Sequence, residues 1–150
     1  MPGDGSCLFH SLVYGLGEGE ARQLRREIAK YIVRNQDLEI AESPLSDWIS
    51  WAGHRSVAAY ADQIARGAWG GGIEMAVCSR LKKVNVHVFE KGGGFWNRGG
   101  FKRISCFDVP GARKTITVLY GGRVHYDYLT VTKKKQKKVS RSNSGFLGLW

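Results

Sequence analysis

The spacing of apolar residues changes once along this chain, close to residue 84. Before that point apolar residues recur every three or four positions, as Ala21, Leu24 and Ile28 do in segment 18–35, which predicts amphipathic helices. After it, valines alternate with other residues in VNVHVFE (84–90), which predicts a strand. A run of helices followed by a run of strands favours an α+β fold with a mainly antiparallel sheet.

The same patterns set the bounds of the individual elements. The predicted helical segments are residues 7–15, 18–35, 43–53, 56–68 and, after a glycine turn, 69–81. Ser56 is a candidate N-cap for the fourth of these helices. The strands are predicted in 84–90, 101–109, 114–122 and 123–131, with a long hairpin loop at 90–100 and a hairpin at Gly121–Gly122.

The basic charge of the chain lies mostly towards its C-terminal end. The 150 residues are 43% apolar and 24% charged, which is typical of a globular domain. The net charge is +10, but six basic residues and no acid lie in KKKQKKVSR (133–141), and without them it falls to +4. We therefore predict a globular domain at 1–132 and a basic, disordered tail at 133–150. The tail favours an anionic partner or a nuclear import receptor, and a nucleic-acid-binding module is an alternative function.

Cysteine usage and apolar runs indicate the compartment. Cys7, Cys78 and Cys106 are few and widely spaced, which argues against a disulfide framework, although one bridge and a free thiol stay open. We expect a reducing compartment, the cytoplasm or the nucleus, with no signal peptide and no membrane span. No cysteine pair has zinc-ligand spacing and no glycine cluster continues into a phosphate loop, so we expect no metal or cofactor. We also expect a monomer.

One of the three cysteines has the surroundings of a nucleophile. Cys7 follows a Gly-Asp-Gly-Ser turn and begins the apolar helical run LFHSL. Free N–H groups at a helix N-terminus favour a thiolate and can stabilise an oxyanion on an attacked carbonyl. Cys78 and Cys106 lie within helical and strand patterns, and both are predicted to be inert core residues.

A nucleophilic cysteine needs a base, and four histidines compete for that role. His10 flanks Cys7 on the same predicted helix, His54 lies in a loop, and His87 lies on a strand. In RVHYDYL, His125 and Asp127 point to the same face of a strand, so the carboxylate can orient the imidazole. Together with Cys7, this pair predicts an acyl-transfer site.

These segments together resemble the ovarian tumour (OTU) family of cysteine proteases. The resemblance rests on GDGSCLFHSL, WGGGIEMAVCSRL, VNVHVF and VHYDYL, which occur in the family's order and span nearly all of residues 3–131. It implies a papain-like fold of OTU type, with a small, central, mainly antiparallel sheet packed between helices. It also implies a hydrolase that cleaves ubiquitin or a ubiquitin-like protein from its conjugates. A catalytically weak ubiquitin-binding protein is the alternative within the family.

The resemblance further assigns roles to individual residues. Cys7 matches the nucleophile, His125 the general base and Asp127 the acid that orients it. The residue matching Asp4 lies in the turn that forms the oxyanion hole, through backbone N–H groups of residues 4–7, that is Asp4, Gly5, Ser6 and Cys7. His10 stands where many members of the family have arginine.

Substrate contacts are expected from several further positions. The candidate substrate-binding residues are His10, Trp69, Gly70, Phe95, Trp96 and Tyr126. Trp69, Gly70, Gly71 and Glu74 match the family's central motif, which we interpret as structural or groove-lining. A further hypothesis places the arginines of the ubiquitin tail against an acidic segment, which comprises Asp37, Glu39, Glu42 and Asp47.

Overall fold

The computed structural model describes residues 5–92, 100–122 and 125–131 of the chain. Helices precede the main sheet, as the apolar spacing predicts: α1 (Cys7–Leu16), α2 (Ala21–Arg34), α3 (Leu45–Trp51), α4 (Val57–Arg66) and α5 (Gly72–Lys82). Their bounds differ from the predicted ones by only a few residues. Ser56 caps α4, because its hydroxyl accepts a hydrogen bond of 3.3 Å from the backbone N–H of Ala59.

A short antiparallel ribbon, which the apolar pattern does not predict, lies between α2 and α3. Strand β1 (Glu39–Ile40) pairs with β2 (Ser43–Pro44). The two connecting residues, Ala41 and Glu42, have φ angles of 48° and 64°. Positive φ at both central positions is the geometry of a type I′ turn, which usually carries Asn-Gly. An Ala-Glu sequence therefore carries no sign of this turn.

The main sheet has four strands in the spatial order β4-β3-β5-β6. They are β3 (Asn85–Lys91), β4 (Phe101–Phe107), β5 (Thr115–Gly121) and β6 (His125–Tyr128). The β3–β4 and β5–β6 pairings are antiparallel, so the predicted α+β class with a mainly antiparallel sheet is confirmed. The β3–β5 pairing is parallel, and β5 lies on the side of β3 opposite to β4.

One apolar core joins the helices to the sheet. Its fully buried side chains include Phe9 and Leu12 of α1, Ile28 and Ile32 of α2, Val77 of α5, and Val86, Ile116 and Val118 of the sheet. Helix α1 lies directly against β5 and β6, and Gly15 packs against residues of both strands. A Cβ atom on Gly15 would lie well inside van der Waals contact with Ile116 and 3.1 Å from Tyr128 Cε2. The absence of a side chain at position 15 thus lets α1 lie flat on the sheet.

The three cysteines differ in burial. Cys78 is buried as predicted, and burial raises the pKa of its thiol to about 12. The prediction that Cys106 is a core residue is wrong, because Cys106 is exposed. It lies on β4, an edge strand whose residues are exposed from Phe101 to Cys106. All three cysteines are thiols, and none of them is part of a disulfide.

Some predictions fall on residues that the structure does not describe. They concern the tail at 133–150 together with the boundary after 132, and the residues Asp4, Phe95 and Trp96. In the part of the chain that is described, no helix combines the length and the apolar character needed to cross a bilayer.

Candidate active site

Cys7 is the first residue of α1, at the position predicted for the nucleophile. The turn before it contains Gly5, whose φ of 78° lies in the left-handed region that glycine adopts most readily. The carbonyl of Ser6 accepts the first helical hydrogen bond from the N–H of His10, at 2.9 Å. The side chain of Cys7 is only 1% exposed. A substrate carbonyl must therefore approach the sulfur along a confined path.

His125 and Asp127 lie two residues apart on β6, and their side chains meet as the strand period predicts. The imidazole Nε2 is 3.2 Å from Asp127 Oδ2. These side chains are 36% and 42% exposed, so the pair is far more open to solvent than Cys7. The predicted acid therefore lies beside the predicted base, on the Nε2 side of its ring.

Ser11, a buried residue of α1, joins the cysteine helix to the histidine strand. Its hydroxyl oxygen lies 2.8 Å from the carbonyl oxygen of Cys7 and 3.3 Å from that of Tyr126, so its one proton is shared between two acceptors. Tyr126 separates His125 from Asp127 on β6. Burial raises the pKa of the Tyr126 phenol, and the nearby Tyr120 and Cys7 raise it further. The predicted nucleophile and the predicted base therefore lie on directly contacting elements.

The other histidines occupy different surroundings. His87 Nε2 lies 2.7 Å from Asp108 Oδ1, on strand β3, which does not neighbour β6. The His54 ring packs edge-on against the Tyr60 ring, with 4.7 Å between the ring centres. His10 lies half-buried on α1, three residues after Cys7. His125 is the histidine that combines a carboxylate partner with a strand packed against α1.

Arg25 of α2, which the sequence interpretation overlooked, lies against the turn that precedes Cys7. Its side chain is 3% exposed, and its Nη2 donates to the carbonyl of Gly5 at 2.9 Å and to the hydroxyl of Ser6 at 3.0 Å. The guanidinium carbon is 4.0 Å from the centre of the Phe9 ring. Arg25 follows Ala21 by four residues, so it falls on the apolar face of its helix, and that position is the signal that could have revealed it.

The Trp69–Gly70–Gly71 segment lies beside the same turn. A Cβ atom built on Gly5 would be 3.7 Å from Cε2 of the exposed Trp69 ring. A Cβ atom on Gly70 would be 2.8 Å from Phe9 Cε2 and 2.9 Å from Leu8 Cδ2. Because both apolar side chains are fully buried in α1, Gly70 can pack there only without a side chain.

Glu74 holds the start of α5. It is buried, its Oε2 accepts a hydrogen bond of 2.7 Å from the N–H of Gly71, and its Oε1 accepts one from the Tyr60 hydroxyl. Burial raises the pKa of Glu74, although these hydrogen bonds oppose the shift, and burial also raises the pKa of Tyr60. Glu74 thus fixes backbone and faces the interior, which suits the structural interpretation of its motif.

Two cavities bear on substrate binding. One of about 900 Å³ is lined by Lys91, Tyr120, Gly122, His125 and Asp127, so it opens directly on the histidine–aspartate pair. The other, of about 670 Å³, is mostly apolar and lies between α3, α5 and β4. His125 and Asp127 line the first cavity but Cys7 does not, and none of the described catalytic candidates lines the second.

The described parts of the chain contain no cluster of three His, Cys, Asp or Glu side chains arranged to hold a metal ion.

All four residues of the acidic segment are exposed near β1, β2 and α3, namely Asp37, Glu39, Glu42 and Asp47. Their contact with the arginines of a ubiquitin tail stays a prediction.

A family model described as OTU-like cysteine protease matches residues 2–126. The chain belongs to the OTU family. The matched range includes Cys7, Arg25, Trp69 and His125, and it ends one residue before Asp127.

Relatives and solved structures agree with this membership. Ubiquitin thioesterase OTU1 of Saccharomyces cerevisiae is 26% identical over 136 residues, which cover 88% of this chain and 38% of the yeast protein. OVARIAN TUMOR DOMAIN-containing deubiquitinating enzyme 4 of Arabidopsis thaliana is 29% identical over 153 residues, covering 90% and 43%. The chain thus spans about two fifths of the length of these relatives.

The fold is that of solved OTU domains. The solved structure of the Hazara virus OTU bound to ubiquitin has a TM-score of 0.65 at 22% identity, covering 89% of this chain and 80% of the viral one. At that identity the likeness shows the fold, and it confirms the OTU-type architecture expected from the sequence.

Proposed function

We propose that this OTU domain is a cysteine-dependent hydrolase that removes ubiquitin, or a ubiquitin-like protein, by cleaving the bond after its C-terminal glycine. The observation that carries the proposal is the 3.2 Å contact between His125 and Asp127 on a strand tied to the helix of Cys7. The names of the yeast and plant relatives, a ubiquitin thioesterase and a deubiquitinating enzyme, support it. The viral OTU domain bound to ubiquitin supports the substrate class. We place this activity in the cytoplasm or the nucleus.

Acylation begins at the sulfur of Cys7. His125 takes the thiol proton on Nδ1, while Asp127 holds Nε2 and stabilises the imidazolium that forms. The thiolate then bonds to the carbonyl carbon of the terminal glycine, and the carbonyl π electrons move to oxygen. As the C–N bond breaks, the imidazolium gives its proton to the departing lysine amine. A thioester between Cys7 and ubiquitin remains.

Deacylation repeats these roles of His125, with water as the nucleophile and the Cys7 sulfur as the leaving group. His125 removes a proton from water, and the hydroxide oxygen bonds to the thioester carbon. Collapse of the tetrahedral intermediate breaks the C–S bond, and the proton on His125 returns to Cys7. The products are the Cys7 thiol and a ubiquitin carboxylic acid, which ionises to the carboxylate by releasing its proton to solvent.

The tetrahedral oxyanion is received by backbone N–H groups of the turn and of Cys7. Preorganised donors of this kind are the largest single contribution in many acyl transfers, each worth about 10²–10³ in kcat. The left-handed Gly5 and the backbone N–H groups at the start of α1 form the described part of this proposed hole. Asp4, which we also propose for it, lies outside the described residues.

Access to the site favours a narrow acyl group. Cys7 is almost fully covered, whereas His125 and Asp127 face the cavity of about 900 Å³, so the substrate tail enters from the side of β6. The exposed Trp69 ring flanks Gly5. A tail that ends in two glycines has no side chains to collide with these walls, which suits the end of ubiquitin.

The test is reaction with a ubiquitin derivative that carries a C-terminal electrophile. We expect one covalent adduct, which peptide mapping places on Cys7. In a fluorogenic ubiquitin assay, Cys7→Ala and His125→Ala should each lower kcat by about 10³-fold or more while thermal unfolding stays unchanged. Cys106→Ala, at the exposed thiol of the edge strand, is the matched control and should retain full activity. Cleavage that persists in Cys7→Ala would refute the assignment.

A further inference from the structure

We propose that Arg25 is a positioning residue for this reaction: it fixes the backbone of the turn before Cys7, and through it the N–H groups that receive the oxyanion. The inference rests on the proposed role of Cys7 and adds a residue from a different helix. Its basis is the set of hydrogen bonds that one buried guanidinium makes to the turn before Cys7 and to backbone carbonyls at and after the end of α4.

The first step concerns the peptide that joins Gly5 to Ser6. Arg25 Nη2 donates to the Gly5 carbonyl at 2.9 Å, and Nη2 and Nε reach the Ser6 hydroxyl at 3.0 and 3.3 Å. In a trans peptide the C=O and the N–H point in opposite directions. By holding the Gly5 carbonyl on its own side, Arg25 directs the N–H of Ser6 away from itself.

The following peptide is held by α1 itself. The Ser6 carbonyl accepts the N–H of His10 at 2.9 Å, so the N–H of Cys7 points out of the helix N-terminus. Gly5, with its φ of 78°, has no Cβ atom to restrict its backbone. A turn built on glycine needs an external restraint to keep its N–H groups aimed, and Arg25 supplies that restraint.

The other end of the guanidinium binds the end of α4 and the segment that follows it. Arg25 Nη1 donates to the carbonyl of Ile64 at 2.8 Å and to that of Ala68 at 2.7 Å. Ile64 lies in the last turn of α4, where carbonyls lack helical partners, and Ala68 directly precedes Trp69. One planar group therefore sets the separation between the turn before Cys7 and the segment that carries Trp69.

Lysine cannot replace arginine in this geometry. Arg25 reaches carbonyls on two sides because its donors are spread over a rigid planar fork, whereas a lysine has three donors on a single nitrogen. Arg25→Lys keeps the positive charge but loses the hydrogen bonds to at least one of the two segments, the turn before Cys7 or the segment that carries Trp69. It is therefore a sharper probe than Arg25→Ala, which also leaves a cavity beside Phe9.

The experiment compares Arg25→Lys with Arg26→Lys, the same change at the next, exposed position of α2. In the fluorogenic ubiquitin assay we expect Arg25→Lys to lower kcat by about 10- to 100-fold, since it misaligns rather than deletes oxyanion donors, while KM changes by less than about 2-fold. Amide hydrogen exchange without substrate should become faster in Gly5–Phe9 and stay unchanged in β3. Arg26→Lys should match the wild type in both measurements.

A second variant tests whether Arg25 acts through the turn. Ser6→Ala removes one acceptor of Arg25, so it should lower kcat by itself and add little in the Arg25→Lys background. Wild-type kcat in Arg25→Lys would overturn the proposal. Losses that add fully in the double variant, or that equal the unfolded fraction at the assay temperature, would also overturn it.

The outcome for Arg25 is separable from the outcome for the proposed function. A wild-type protein that cleaves no ubiquitin substrate would refute the hydrolase assignment. In that case, faster exchange of the turn in Arg25→Lys would still support the restraint on Gly5–Phe9, and unchanged exchange would refute it.

Discussion

Replacing Gly15 with alanine is expected to slow the proposed hydrolysis strongly while leaving most of the protein folded. In an ordinary helix the change stabilises by about 1 kcal/mol. Here the new methyl group would overlap Ile116 and lie 3.1 Å from Tyr128 Cε2, and such overpacking costs about 1–3 kcal/mol. The net loss of folding free energy is therefore about 0–2 kcal/mol, which leaves most of the protein folded.

The effect on activity follows from the way the overlap is relieved. Carbon atoms pack at about 3.5–4.0 Å, so α1 must move off β5 and β6 by roughly 1 Å. Cys7 lies on the moving helix and His125 on the strand that it leaves. Since a misplacement of about 1 Å can cost about 10²-fold in rate, we expect kcat to fall by about 10- to 100-fold. The assay is cleavage of fluorogenic ubiquitin, corrected for the folded fraction from thermal unfolding.

Two further variants make the reasoning refutable. Gly17→Ala disturbs the left-handed end of the same helix, at φ 76°, but its Cβ meets nothing within 4 Å. It should lose about 1 kcal/mol of stability and keep its activity per folded molecule. Ile116→Ala removes the overlapping atoms, so adding Gly15→Ala to it should cost little further activity. A Gly15→Ala variant that is more stable than the wild type and equally active would show that α1 does not need this close approach.

Further predictions concern the segment that follows α4. Gly70→Ala should lower both Tm and kcat, because its Cβ would lie within 2.9 Å of Phe9 and Leu8, whereas Gly71→Ala meets nothing within 4 Å and serves as the control. Glu74→Gln should gain stability relative to the wild type as the pH rises from about 5 to about 8, measured as the difference in Tm. Because the pKa of Glu74 is raised in the folded state, the folded protein binds the Glu74 proton more tightly than the unfolded chain does. The stability of the wild type therefore falls as the pH rises from the pKa of Glu74 in the unfolded chain through its higher pKa in the folded protein. A pH-independent difference in Tm would contradict this account.

The apolar spacing predicts most of the fold because local periodicity decides which residues face the core. The change of period near residue 84 places the helices of α1 to α5 and the strands of the main sheet within a few residues of their bounds. The strand period also predicts that His125 and Asp127 share a face, and their 3.2 Å contact bears this out. Together with Cys7, the pair predicts an acyl-transfer site from the residues alone, and the family resemblance implies the same roles.

The features that the sequence did not reveal depend on contacts between distant segments. The position of Arg25 on the apolar face of α2 indicates that it is buried, but not what it binds. The partners of Arg25 and Ser11 are mostly backbone carbonyls, which any sequence offers, so no residue pattern identifies those partners. The exposure of Cys106 depends on β4 being at the edge of the sheet, and strand order is not encoded in the period of one strand. The β1–β2 turn has Ala41 and Glu42 where Asn-Gly would have indicated it.

The Ser11–Tyr126 hydrogen bond joins residues 115 positions apart, so the proposed active site can assemble only after β6 has been synthesised. A ribosome adds about 5–20 residues per second, so the turn before Cys7 is made several seconds before β6. During that interval the cysteine has no base, and contacts of such long sequence separation form late in folding. We therefore expect the proposed protease to be inactive while it is being synthesised. Its site is complete only when the four-residue strand β6 has docked.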